Sequence, residues 1–138
     1  MSRRDSRIAA FTLLFESDFH PELKYSEIYE QAEEVRELSM DSFAKQLYET
    51  ATENMAEINQ IIEGTSKNWK ISRMSAVSRS IVRLAVAEIA FTEVPPKVAI
   101  NEAVEIAKLY DDEKAPGFIN GIVNTVARNL GKIASDEQ

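Results

Sequence analysis

The sequence predicts an all-α protein, and three observations carry that prediction. Successive stretches between residues 5 and 130 repeat apolar side chains at spacings of three and four, the period of a helix packed on one face. No segment alternates apolar and polar residues with period two, so no sheet is expected. The helix breakers fall between the periodic stretches, at His20-Pro21, Gly64, Val94-Pro95-Pro96 and Pro116.

The first helix covers residues 5–19, with Ile8, Phe11, Leu14 and Phe15 as its apolar stripe. Continued backward, the helical wheel puts Arg4 and Arg7 on that same side. Unpaired arginines do not sit in a core, so this end is expected to overhang the body or to fray. Two readings follow. Arg3, Arg4 and Arg7 form an arm for a polyanion, or they are a basic terminus with no partner. His20, the single histidine, reads as a helix-end residue rather than a catalyst. Residues 25–38 make a second, strongly acidic helix with Ile28, Ala32, Val35 and Leu38 inward and the carboxylates solvated. The third and longest helix runs unbroken from Ser42 to about Glu63, with Ala44, Leu47, Tyr48, Ala51, Met55, Ile58 and Ile62 inward, and Gly64 stops it.

Trp69 lies among Lys67, Lys70 and Arg73. A tryptophan among cations can stack on a base, but such a side chain is more often a plug between packed halves, the reading adopted for it. Residues 76–92 are apolar almost all round through Ile81, Val82, Leu84, Ala85, Val86, Ile89 and Phe91, which makes them the central buried helix. Arg79 and Arg83 share its one polar face and Glu88 lies on another side. Pro95-Pro96 opens the stretch around which the chain is organised, Lys97 to Lys108, with an apolar face of Ile100, Ala103, Val104, Ala107 and Tyr110. Pro116 suits the first turn of the last helix, where Ile119, Ile122, Val126 and Leu130 face inward. Residues 132–138 read as a disordered tail.

Composition narrows the function. At 138 residues the chain is long enough for one domain with a real core. It has no cysteine, which removes disulfides, thiolate catalysis and cysteine-based zinc sites. There is no apolar run of the roughly 18 residues a membrane span needs. The first 15 residues lack the apolar core of a signal peptide, and a cytoplasmic location is expected. Net charge is −7, yet its distribution is uneven. Residues 16–63 hold 13 acids against 3 bases, whereas residues 64–108 hold 7 bases against 4 acids. Local field, not net charge, decides where a polyanion docks. There is no phosphate-cradling glycine loop, no HExxH and no nucleophile elbow. Glu102 and Glu105, three apart on an exposed helix, read as ordinary surface. No enzyme, cofactor or metal site is expected.

What remains is an outer face. Asn101, Glu105 and Lys108 lie opposite the apolar side of their helix, and Asn120, Gly121, Asn124 and Arg128 do the same in the last one. A mid-helix glycine costs about 1 kcal/mol relative to alanine, and Gly121 is not needed by the core of its own helix. Amides and a lysine around a small residue suit contact with single-stranded RNA: Asn for base edges, Lys for phosphates, Gly for close backbone approach. Small polar residues on outer faces are also common without any such role.

These same residues resemble a known family. Val98-Ala-Ile-Asn-Glu-Ala-Val-Glu-Ile-Ala-Lys108 followed by Phe118-Ile-Asn-Gly-Ile-Val-Asn124 is similar to the signature of the NusB family of bacterial transcription antitermination factors. The arginine-rich start, Leu13-Leu14-Phe15, Trp69 and the run from Arg73 to Ile89 fit as well, so the likeness covers nearly the whole chain. The resemblance implies a single NusB-like domain, a bundle of about seven helices in which an N-terminal half (1–64) packs across a C-terminal one (65–131). It implies binding of boxA leader RNA of ribosomal operons together with NusE, a small-subunit ribosomal protein, and help to the RNA polymerase elongation complex in reading through terminators. It leaves monomer and homodimer open.

Carried over, Arg3, Arg4 and Arg7 match the family's arginine segment, and Phe15 stands where a tyrosine near the RNA is common. Asn120 and Gly121 belong to the family's shared motif and, with Lys108 and Asn124 of the outer face, are assigned to RNA. Glu88 matches the acid of an Ala-x-x-Glu pattern on the side that meets NusE, with Asn101 and Glu105 assigned to the same partner. The chain departs from the family at Asn124, usually Asp, at Asp111, often Gly, and at Gly117, often Lys. Two alternatives stand beside this reading. One is a helical docking adaptor that binds protein without RNA. The other is the RNA-binding module of a ribosomal-RNA methyltransferase, which resembles NusB but is followed by a catalytic domain with a nucleophilic cysteine; a chain ending at Gln138 without cysteine is not expected to be one.

Overall fold

The computed structural model describes residues 1–35, 40–65 and 69–134. Among them the chain is all-α: α1 (Arg3–Ser17), α2 (Tyr25–Val35), α3 (Ser42–Glu53), α4 (Met55–Thr65), α5 (Ala76–Phe91), α6 (Pro96–Tyr110) and α7 (Ala115–Asn129), with one short 3-10 turn at Ile71–Arg73. The side chains of Val35 and Leu38, as well as Lys67 and residues 135–138 of the expected tail, lie outside the described residues.

Helix α1 starts earlier than its apolar stripe suggests, and it does not fray. Ser2 Oγ accepts a hydrogen bond from the Asp5 amide at 3.0 Å, and Asp5 Oδ2 accepts one from the Ser2 amide at 3.3 Å. This reciprocal cap satisfies amides that a bare terminus leaves open. The expected overhanging arm is therefore a capped, regular first turn. Next to it, Ser6 Oγ donates to Asp41 Oδ2 at 2.7 Å. Asp41 also caps α3, accepting from the Ala44 amide at 2.9 Å, so one carboxylate joins two helix starts.

The expected third helix is two helices. Asn54 leaves helical geometry (φ −113°, ψ 20°), and its side-chain Nδ2 donates to the Thr50 carbonyl at 2.8 Å. An asparagine amide that competes for a backbone acceptor favours a break. The apolar period continues across the break, with Ile58 and Ile62 fully buried, which is why spacing alone reads one helix. Gly64 lies inside α4, not past its end.

Helix α5 is the axis of the molecule. Ile81, Val82, Leu84, Val86 and Ile89 are buried on it, each contributing about 1.5–3 kcal/mol relative to exposure. Helices α1, α3, α4, α6 and α7 all pack against it, and α4 also meets α7. Two groups of polar contacts fix α1 against it. Asp18, just past the end of α1, receives Arg79 Nε at 2.9 Å and Arg83 Nη1 at 3.1 Å. Arg7 pairs with Glu88 further along. Helices α6 and α7 are joined by a four-residue turn and run antiparallel with their apolar faces inward. Three expected inward residues differ, Val104 being only half-buried. Tyr110 is 49% exposed, its ring resting on Phe11 at 5.5 Å, and Leu130 is half-buried as the C-cap of α7. Trp69 is half-buried against the core.

Candidate nucleic-acid interface

The interface is built where the start of α1 meets the flank of α6. Arg4 donates from Nε to Glu102 Oε1 at 3.1 Å and from Nη2 to Glu102 Oε2 at 2.8 Å. This two-pronged pairing holds the Glu102 carboxyl below its ordinary pKa, the hydrogen bond from Arg4 being the main cause. It raises that of Arg4 in turn. Glu102, which sequence spacing reads as ordinary surface, is thus the residue that docks the arginine segment onto α6. The guanidinium groups of Arg3 and Arg7 lie 4.2 and 5.1 Å from the ring centroid of Phe43, within cation–π range.

The structure separates the three arginines. Arg3 and Arg4 are exposed. Arg7 is only 5% exposed, and it meets Glu88, 2% exposed, through three hydrogen bonds of 2.8–3.1 Å. The wheel correctly puts Arg7 on the apolar side of α1, and what lets it stay there is a carboxylate 81 residues away. The expectations that Arg7 reaches outward and that Glu88 offers itself to a partner are corrected: each side chain is buried and occupied by the other. No buried side-chain nitrogen or oxygen among the described residues lacks a hydrogen-bond partner, so this ion pair is fully satisfied.

The remaining predicted residues lie on neighbouring surfaces. Asn101 is exposed next to Glu102 in α6. One to two turns on, Lys108 Nζ pairs with Glu105 Oε2 at 2.9 Å and lowers the Glu105 pKa. On α7, Asn120 and Gly121 are exposed. Asn124 Nδ2 donates to the Asn120 carbonyl at 2.8 Å and to Asn120 Oδ1 at 3.1 Å, so the two amides act as one unit. A Cβ added at Gly121 would meet nothing within 4 Å; the chain itself does not require glycine there. Phe15 is half-buried in a file of rings, 6.4 Å from Phe11 and 5.0 Å from Phe19.

A separate cleft at the start of α7 is absent from the sequence reading. Trp69, Lys70 and Arg73 are joined by Lys114 and Phe118 from the start of α7 around a cleft of about 290 Å³. The cations beside Trp69 are visible in sequence. Their meeting with Lys114 and Phe118 is a product of the fold, because about 45 residues separate the two groups. Two aromatic rings and three cations, with Asp112 the one acid of the cleft's lining, suit an unpaired base and its phosphates.

Comparison with known proteins places the chain by family and fold. The model of the NusB family matches residues 4–128. The transcription antitermination protein NusB of Natranaerobius thermophilus is 40% identical, over 96% of this chain and 99% of that protein. Among solved structures, T. maritima NusB superposes with a TM-score of 0.82 at 32% identity, covering 96% of each chain. A crystal structure of the antitermination factors NusB and NusE in complex with double-stranded RNA gives 0.79 at 29% identity, covering 94% of this chain and 99% of that one.

Proposed function

The chain belongs to the NusB family, and from that premise we propose that it is a transcription antitermination factor that binds boxA leader RNA of ribosomal operons together with NusE and helps RNA polymerase read through terminators. It acts as a binding surface, not as an enzyme. The observation that carries the reading is the pairing of Arg4 with Glu102. It sets the exposed arginines of α1 beside the flank of α6, where Asn101 and Lys108 lie, so arm and helix form one ledge. Arg3 and Arg4 hold phosphates on that ledge, and the polar face of α7 supplies amides to base edges.

The chemistry of binding is an exchange of anions. Arg4 is already paired, so a phosphate gains it only by displacing or sharing it with Glu102. Arg3, stacked on Phe43, keeps its outward N–H donors for phosphate oxygens. Because phosphate contacts release counterions, affinity should fall steeply with salt. The Asn120–Asn124 unit carries no charge, so its contribution should be to sequence preference and not to salt dependence.

The test is an electrophoretic mobility assay with single-stranded boxA RNA, a scrambled RNA and a boxA duplex, each with and without NusE. The expected result is a boxA-selective shift that NusE strengthens. NusE binding with no RNA shift and no effect of RNA would leave the docking-adaptor reading in its place.

A further inference from the structure

The cleft at the start of α7 has two walls from distant parts of the chain. Trp69, Lys70 and Arg73 form one, and Lys114 and Phe118 the other. The first rests on the 3-10 turn Ile71–Arg73, and the second opens from the turn between α6 and α7. Short turns of this kind have few hydrogen bonds of their own, so their placement depends on side chains that hold their backbone. Both are held by consecutive residues of α5, Ser78 and Arg79.

Arg79 holds the first wall. Its Nη1 donates to the Met74 carbonyl at 3.1 Å and to the Ile71 carbonyl at 3.4 Å, while its Nε donates to Asp18 Oδ2 at 2.9 Å. The Ile71 amide donates to Glu63 Oε2 at 3.1 Å. Ile71 and Met74 are buried and Lys70 and Arg73 are exposed, so the turn is anchored from beneath with its cations outward.

Ser78 holds the second wall. It lines the cleft itself, only 7% exposed, and its Oγ donates to Asp111 Oδ2 at 2.5 Å. Asp111 Oδ1 accepts from the Asp112 amide at 2.9 Å, and Asp112 Oδ1 from the amides of Lys114 and Ala115, each at 3.0 Å. The Phe118 amide in turn donates to the Lys114 carbonyl at 3.3 Å. One chain of hydrogen bonds therefore runs from α5 to both residues of this wall, and it engages the one acid of the lining with backbone amides. Asp111, which departs from the glycine frequent in the resemblance, supplies the side chain that this link needs.

We infer that Ser78 and Arg79 are positioning residues for RNA: from adjacent places on α5 they fix the two walls, so that an unpaired base meets rings and cations already in place. The inference rests on the RNA-binding reading and extends it to residues that need not touch the RNA. Walls fixed beforehand leave less ordering to oppose binding. Freeing either wall should cost affinity without removing a contact, whereas a merely structural role would lower stability and leave the affinity of the folded chain unchanged.

The experiment titrates the full chain with single-stranded boxA RNA and follows both mobility shift and the emission of Trp69, the single tryptophan. RNA should change that emission in the unsubstituted chain. Ser78→Ala and Arg79→Lys should each weaken binding several-fold, with the slope of log K against log salt unchanged because no phosphate contact is lost. Arg79→Lys keeps a charge for Asp18 but not the planar fork that also reaches two carbonyls. The loss from Ser78→Ala should shrink in a Phe118→Leu background, since Ser78 acts through that wall and independent sites would add. Circular dichroism should show unsubstituted helix content in both variants; should Arg79→Lys lose it, Ser78→Ala, which removes one hydroxyl, carries the test. Unsubstituted affinity in the folded variants, or full additivity with Phe118→Leu, would overturn the inference while the RNA reading stands. RNA binding that leaves Trp69 emission unchanged and tolerates Phe118→Leu would overturn it by removing the cleft from the RNA path. A chain that binds no RNA would overturn both.

Discussion

Arg7 of α1 and Glu88 of α5 form a buried two-pronged ion pair, with Arg7 Nη2 2.8 Å from Glu88 Oε2 and both side chains almost without solvent contact. A residue that sequence assigns to RNA and one that it assigns to a protein partner are each other's partner. Their common role is to hold the start of α1 against the central helix.

Removing one member strands a charge in the core. Arg7→Ala or Glu88→Ala should each destabilise the fold by about 3–5 kcal/mol, read from urea unfolding. Replacing both with Met and Leu should recover most of that loss, because a buried pair is often matched by well-packed apolar side chains. A loss below about 1 kcal/mol in either single variant would contradict the pairing.

Arg4 and Glu102 make the corresponding exposed pair. Glu102→Gln releases Arg4 and removes an anion from the ledge, so boxA affinity should rise several-fold. Arg4→Ala should lower affinity and flatten the dependence of log K on log salt by about 0.7–0.9. The same pair predicts a pH effect. A carboxyl whose folded pKa is depressed stabilises the fold above its unfolded pKa and loses that contribution as pH falls through the lowered value. Glu102 is such a group, as is Asp41 with its bonds from Ser6 and the Ala44 amide. Thermal stability should therefore drop below about pH 4, and Glu102→Gln should shallow that decline.

Gly121 separates a fold requirement from a binding requirement. With nothing within 4 Å of an added Cβ, Gly121→Ala should raise stability by about 0.5–1 kcal/mol through helix propensity. If RNA or NusE approaches the backbone there, the same variant should bind several-fold more weakly. A gain in stability with unchanged binding to both would remove Gly121 from the interface.

Asn124 replaces the aspartate usual in the resemblance, and the structure gives that change a local meaning. Its Nδ2 bonds two oxygens of Asn120. Asn124→Asp would face those oxygens with a carboxylate, turn Asn120 away and add negative charge to the outer face of α7. RNA affinity should fall, with the loss shrinking as salt is raised; an unchanged mobility shift would place this turn of α7 away from the phosphates.

The sequence makes most of the helices legible because their apolar period is long and regular: Ile81 to Ile89 could hardly be anything but a buried helix. The break at Asn54 is not legible, since Ile58 and Ile62 keep the period while a single side-chain amide ends the helix. The site shows the same division. Asn120, Gly121 and Lys108 are exposed as their spacing requires. The partners of Arg4 and Arg7 are invisible, because Glu102 and Glu88 are brought to them by tertiary packing from 98 and 81 residues away. A helical wheel can say which side an arginine faces, but it cannot say that an acid is waiting there.

Helix α5 grips α1 near its two ends, through Arg79 and Arg83 on Asp18 and through Glu88 on Arg7. A rod moored at both ends cannot pivot on its support. The guanidinium groups near its tip are therefore presented on a surface that is rigid before any ligand arrives, and little ordering of the backbone is left to oppose association. Binding to them should gain from fast, well-aimed encounter, and substituting them should report lost contacts instead of lost order.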